Sequence, residues 1–175
     1  MKKPSASVKK RIFQVDSLRS RPDMPVSYGI DRELSPKMMS WSKVRYRLAK
    51  ARNYWIVTAS LEGQVHAAPV WGIWANDTFC FSTDLDSRKG HNLATNPNLV
   101  VHLESGDNVV ILEGTAEPVT NRSVLVKYAD SYELKYRIRP RVKGSPSGVY
   151  RVKPGVALAW SEKNFTESAT RWQFL

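Results

Sequence analysis

At 175 residues, 42% of them hydrophobic, with six Trp and one Cys, the chain can bury one core, is short for two domains, and excludes an intrachain disulfide or a cysteine-based metal cage. A net charge of +11 suggests a nucleic-acid partner, but residues 53–121 hold only 2 Lys/Arg against 8 Asp/Glu and no nucleic-acid-binding motif appears, so no such partner is expected. No apolar run of about 18 residues is present and none follows the basic MKKPSASVKKRIFQ, so a soluble, cytoplasmic protein with no membrane association and no signal peptide is expected.

Residues 1–39 carry Pro4, Pro22, Pro25 and Pro36 with little periodicity and read as an irregular basic N-terminal arm, leaving 40–175 as the folded domain. From the cap residue Ser40, the segment SWSKVRYRLAKARNY spaces Trp41, Val44, Leu48 and Ala51 at three and four residues, which predicts an amphipathic helix docked on a sheet. Lys43, Arg45, Arg47, Lys50 and Arg52 cover its other side and present a basic face to solvent or to an anionic ligand. The period then changes to that of strands. Residues 54–61, a Glu62-Gly63 turn, 65–74, an Asn76-Asp77 turn and 78–83 make an antiparallel meander in which Trp71 and Trp74 face opposite sides. Ser87 to Thr95 reads as a short helix ended before Asn96-Pro97, and 98–105 with 108–119 form a second hairpin about Gly106-Asp107. A charged helix runs from Asn121 to about Arg137, followed by one or two strands in 148–160 and a terminal strand in ATRWQF, 169–174. About six short antiparallel strands and two helices avoid exposed edges by closing into a barrel.

In the acidic middle segment the only two cations, Arg88 and Lys89, are adjacent. Such a pair is what a discrete phosphate site leaves in a sequence, and also what a solvated helix flank leaves. The neighbouring residues favour the first reading. Ser82 and Thr83 end a strand with hydroxyl donors, and Ser87, Arg88 and Lys89 open a helix whose unpaired amides favour an anion. Ser87 serves equally as a plain helix cap. Asn92 lies one turn on, on roughly the same face, and bonds either a ligand or the next loop.

The stretch 54–119 resembles the core of the pyridoxamine 5′-phosphate oxidase-like FMN-binding split barrels in order, spacing and motif. TASLEGQVHAAPVW is similar to that family's first hairpin, FSTDLDSRKGHNL to its phosphate-binding strand-loop-helix, and VVILEGTAEPV to its long strand. The resemblance implies a mainly β (α+β) fold, a six-stranded antiparallel split β-barrel with Greek-key character and flanking helices. It implies that His66, Ala67, Ala68, Pro69, Val70 and Trp71 lay a strand along the cofactor ring, with Ser82, Thr83, Ser87, Arg88, Lys89 and Asn92 at its phosphate. Arg171 and Trp172, in the terminal strand, resemble an Arg-Trp pair that meets the cofactor in related chains. Classical FMN oxidases place basic residues where this chain has His66 and Trp71.

The residues themselves supply no paired carboxylates, metal-ligand spacing, supported Ser/His/Asp arrangement or glycine-rich dinucleotide loop. No metal site is expected, and catalytic side chains are not identified. That absence fits the bound redox cofactor which the resemblance implies, FMN or alternatively the deazaflavin coenzyme F-420, whose polyglutamate tail the basic helix would attract. The function expected is hydride transfer between that cofactor and a small-molecule organic substrate, and the resemblance implies a homodimer with the cofactor at the subunit interface. The alternative is a non-catalytic cofactor- or haem-binding protein on the same barrel.

Overall fold

The computed structural model describes residues 14–31, 33, 35–142 and 146–174. In chain order the elements are β1 (Arg19–Ser20), α1 (Trp41–Lys50), β2 (Asn53–Ala59), β3 (Val65–Ala75), β4 (Thr78–Asp84), α2 (Arg88–Thr95), β5 (Asn98–His102), β6 (Asn108–Pro118), α3 (Arg122–Tyr136), β7 (Ser147–Ser161), α4 (Phe165–Ser168) and β8 (Thr170–Gln173). Alternation builds the strands: Tyr54, Ile56 and Thr58 of β2 and Phe79, Phe81 and Thr83 of β4 are buried, while the residues between them face outward. Every pairing is antiparallel. Strands run β7-β4-β3-β2-β5-β6, and β6 pairs back onto β7, which closes a six-stranded barrel. The return of β5 to lie beside β2 after the β2-β3-β4 meander is a Greek key.

Residues 148–160, expected as one or two strands, lie within a single 15-residue strand. It pairs with β4 through Ser147–Val152 and with β6 through Tyr150–Ser161, so one strand closes the barrel. The ladder shifts register at Glu113/Gly114, where β7 comes so close that a Cβ on Gly114 would sit 2.0 Å from the Lys153 carbonyl oxygen. Strands β8 and β1 extend the sheet beyond β7.

The barrel core is aromatic. Trp41, Val44 and Leu48 of α1 pack into it with Tyr54, Phe79 and Phe81, and Ser40 caps α1 by accepting from the Lys43 amide, as its spacing predicts. A second cluster lies outside the barrel, where Tyr128 and Tyr136 of α3 cover Ile73 and Val149. Trp74 points into the first cluster and Trp71 packs against the second, so the two do face opposite sides.

Of the basic face expected on α1, Lys43, Lys50 and Arg52 are exposed, while Arg45 and Arg47 are used within the fold. Arg45 is paired with Asp77, and Arg47 donates to the carbonyls of Val109 (3.3 Å) and Trp160 (2.9 Å) and to the Asn108 side chain (2.6 Å). The cause is position: α1 crosses the barrel rim, so its long cations meet the turns and carbonyls of β3, β6 and β7. Of the arm, residues 1–13 lie outside the described residues. Its remainder packs on the barrel through the Asp16 carboxylate, which accepts from the Trp41 amide (2.6 Å), and through Arg21, which donates to the Glu167 and Ala169 carbonyls (3.0 and 2.8 Å). No described helix is long and apolar enough to cross a membrane.

Candidate functional site

The junction of β4 and α2 is assembled by hydroxyl groups. Ser87 caps α2, accepting from the Gly90 amide (3.1 Å) and donating to the Asp84 carbonyl (2.6 Å), with the Thr83 hydroxyl 3.0 Å away. This turn is compact because residue 90 is glycine: a Cβ there would lie 2.3 Å from the Leu85 carbonyl oxygen and 2.5 Å from that of Asp84. Arg88 and Lys89, which follow the cap, diverge. The Arg88 guanidinium is exposed and its nearest bonded partner is Gln64 (3.4 Å), whereas Lys89 is half-buried and turns into a cleft. Among the described residues nothing is hydrogen-bonded or ion-paired to the Lys89 ammonium. Asn92 is buried and donates to the Thr58 hydroxyl (2.9 Å), which ties α2 down on β2.

Lys89 marks one end of an open cleft of about 540 Å³ on the outer face of the sheet. Strand register explains its walls. Asn53 lies opposite Trp71 and Trp55 opposite Pro69, so β2 and β3 present a continuous outward row, and the Ser82 and Thr83 segment of β4 continues it towards Lys89. Tyr132 of α3 closes one side, and Glu104, held by the Asn53 amide (3.2 Å), stands at the end away from Lys89. Trp71 is held rigid: its ring stacks on Tyr136 at 4.7 Å and 3°, and the Arg52 guanidinium lies 5.3 Å from its centroid.

The family model for pyridoxamine 5′-phosphate oxidase matches residues 40–160, which is most of the chain and includes α1, α2 and the six barrel strands. The chain belongs to the pyridoxamine 5′-phosphate oxidase family. Solved structures with the same fold include a conserved hypothetical protein from Mycobacterium tuberculosis (21% identity, TM-score 0.63, covering 74% of this chain and 89% of that one). Others are an F420 reductase (16%, 0.51, 63% and 93%) and a haem-binding protein from Mycobacterium smegmatis (17%, 0.56, 67% and 52%). At such identities the likeness is one of fold. A comparison with curated proteins finds no match.

The residues that the resemblance assigns to the cofactor do not all lie together in the fold. Pro69, Val70, Trp71, Ser82, Thr83 and Lys89 line the cleft together. His66 and Ala68 pair with Thr58 and Ile56 on the inward side of β3, while Ala67 faces outward with Pro69. His66 lies near the two cations of α2: its pKa is lowered, first by burial and then by Lys89 and Arg88, which keeps the ring neutral at pH 7. Arg171 bonds the neighbouring Gln173 (2.9 Å) on β8. Trp172, expected to stack on a cofactor ring, is instead fully buried against Trp41 at 5.4 Å, because β8 sits beyond β7 and turns this residue into the core. Burial pushes the Cys80 thiol up to about 11, which makes it inert as a nucleophile near neutral pH.

Sequence reading missed Asn53, Trp55, Glu104 and Tyr132. The outward phase of β2 signals the first two. The spacing of Tyr128, Tyr132 and Tyr136, one helical turn apart, signals the aromatic wall.

Proposed function

We propose that this protein is a flavin-dependent oxidoreductase that holds FMN in the cleft between β3, β4 and α2. The observation that carries this reading is the Lys89 ammonium: a half-buried cation without a bonded partner among the described residues, in one cleft with the outward-facing Ser82 hydroxyl and next to the first turn of α2. Those donors suit a phosphate monoester. The Pro69–Trp71 run and Trp55 supply a flat wall for a planar ring. When bound, a flavin supplies hydride chemistry, and the chain supplies anchoring, orientation and partial exclusion of water. The deazaflavin coenzyme F-420 is the alternative cofactor. FMN is placed first because two of the five cations expected to draw a polyglutamate tail, Arg45 and Arg47, are bonded within the fold, while Lys43, Lys50 and Arg52 are exposed and keep F-420 as the alternative.

A haem-binding role is supported by the likeness to haem-binding proteins. Tyr132 is the one residue lining the cleft of a type that ligates haem iron, whereas Lys89 and the Ser82 hydroxyl suit a phosphate, and it is these that support the flavin reading. We further propose a homodimer. The cleft is open, and next to it the outer faces of β2, β5, β6 and β7 form an apolar groove that includes Val57, Val100 and Val156, with Val65 66% exposed at its rim. A second copy seated there would complete the walls of the cleft. Native mass spectrometry with an absorbance spectrum tests both points. A dimer carrying one flavin per chain is expected, and a monomer that holds flavin stoichiometrically would remove the seam assignment.

A further inference from the structure

Tyr128, Tyr132 and Tyr136 stand one turn apart on the face of α3 that covers the sheet. Two of the three hydroxyls are committed. Tyr128 donates to the Ser82 hydroxyl (3.2 Å), and the Tyr136 hydroxyl accepts from the Gly72 amide (3.0 Å) and reaches the carbonyls of Arg52 (2.7 Å) and Gly72 (2.8 Å). Tyr132 differs. Its ring is fixed by Tyr128 (5.6 Å), Tyr136 (4.7 Å) and Trp71 (6.2 Å), it lines the cleft, and among the described residues its hydroxyl has no hydrogen-bond partner. A phenol packed this way on a helix is a directed donor rather than a mobile one.

The other polar groups of the cleft are suited to other roles. Lys89 lies at the phosphate end, Asn53 donates to Glu104, and Glu104 can only accept while it is ionised. We propose that Tyr132 is the catalytic residue that hydrogen-bonds the substrate and gives it a proton, the substrate being a conjugated carbonyl compound bound on the Tyr132 side of the cleft. This deepens the flavin reading and depends on it only for the source of hydride. In the step, the Tyr132 O–H bond breaks and its proton goes to the carbonyl oxygen. A reduced flavin, when bound, would supply hydride to the carbonyl carbon and be oxidised by two electrons; the new C–H bond forms as the C=O π pair moves to the oxygen that takes the Tyr132 proton, and the phenolate regains a proton from water through the open cleft. Burial raises the Tyr132 pKa, which keeps the proton in place near neutral pH.

Tyr132→Phe keeps the ring and removes the donor. Menadione, a planar conjugated diketone, serves as the probe, titrated by equilibrium dialysis against protein with and without FMN. The variant, compared with the wild type without FMN and at matched FMN occupancy, is expected to bind menadione about three- to tenfold more weakly, as for loss of one hydrogen bond. Reduction of menadione by the reduced, FMN-loaded variant is expected to fall about 100-fold, as for loss of a general acid. Equal menadione affinity for the two proteins overturns the assignment. If the wild type binds no FMN, the flavin reading fails separately, and the titration without FMN still decides the role of Tyr132.

Discussion

Gly90→Ala perturbs the α2 N-terminus without touching a charge. Two effects of opposite sign compete. Replacing a helical glycine stabilises by about 0.5–1 kcal/mol through reduced backbone freedom of the unfolded chain. Against this, the new methyl would lie 2.3 Å from the Leu85 carbonyl oxygen and 2.5 Å from that of Asp84, and both are backbone atoms of the turn that Ser87 staples, so neither can swing aside. Overpacking of that kind costs about 1–3 kcal/mol, so the clash wins and the net loss is about 1 kcal/mol. A protein of this size then melts about 2–4 °C lower. Because Lys89 precedes Gly90 in the same turn, FMN affinity should fall together with the melting temperature. Differential scanning calorimetry and an FMN titration on one preparation measure both. A variant that melts at or above the wild-type temperature and binds FMN unchanged would refute the argument that this contact sets the position of Lys89.

Asn92→Ala removes the donor to the buried Thr58 hydroxyl and should cost about 1–3 kcal/mol in urea unfolding; wild-type stability with lost FMN affinity would instead make Asn92 a cofactor ligand. Lys135, whose ammonium donates to the Tyr54 hydroxyl (2.9 Å) and the Gly72 carbonyl (3.0 Å) without a carboxylate, is brought down by burial to about 8. Its folded pKa lies below the unfolded value, so the unfolded chain binds more protons between about pH 8 and 10.5, and this group's contribution to stability rises with pH through that window. After allowance for solvent screening of the half-exposed amine, the wild type should gain about 1.5 kcal/mol on Lys135→Met between pH 7 and 10, measured by urea unfolding; parallel pH profiles would contradict it.

The barrel was legible because it depends on period. Outward and inward residues alternate through β2 and β4, turns such as Glu62-Gly63 and Asn76-Asp77 punctuate them, and strand limits follow to within a few residues. The β4–α2 junction was legible because hydroxyls, cap and cations are close in sequence. What was hidden depends on distant neighbours. Nothing local shows that Trp172 turns inward onto Trp41, or that Arg47 reaches the carbonyls of Val109 and Trp160. Charge counted along the helix treats every cation as free, and the tertiary fold decides which ones are. The tyrosine ladder was visible as spacing, but its meaning needed the position of α3 over β3, which brings Tyr132 and not its neighbours to the cleft.

The proposed binding of a flavin through its phosphate in the cleft at β3, β4 and α2 makes Lys89 the principal cation. Titration of FMN followed by flavin fluorescence, with wild type and Lys89→Ala side by side, tests it most directly. Saturable binding is predicted for the wild type, with a loss of about 1.5–3 kcal/mol, roughly ten- to 150-fold in Kd, for the variant, and an unchanged melting temperature without ligand. Absence of saturable FMN binding by the wild type, or equal affinity in the two proteins, would contradict it.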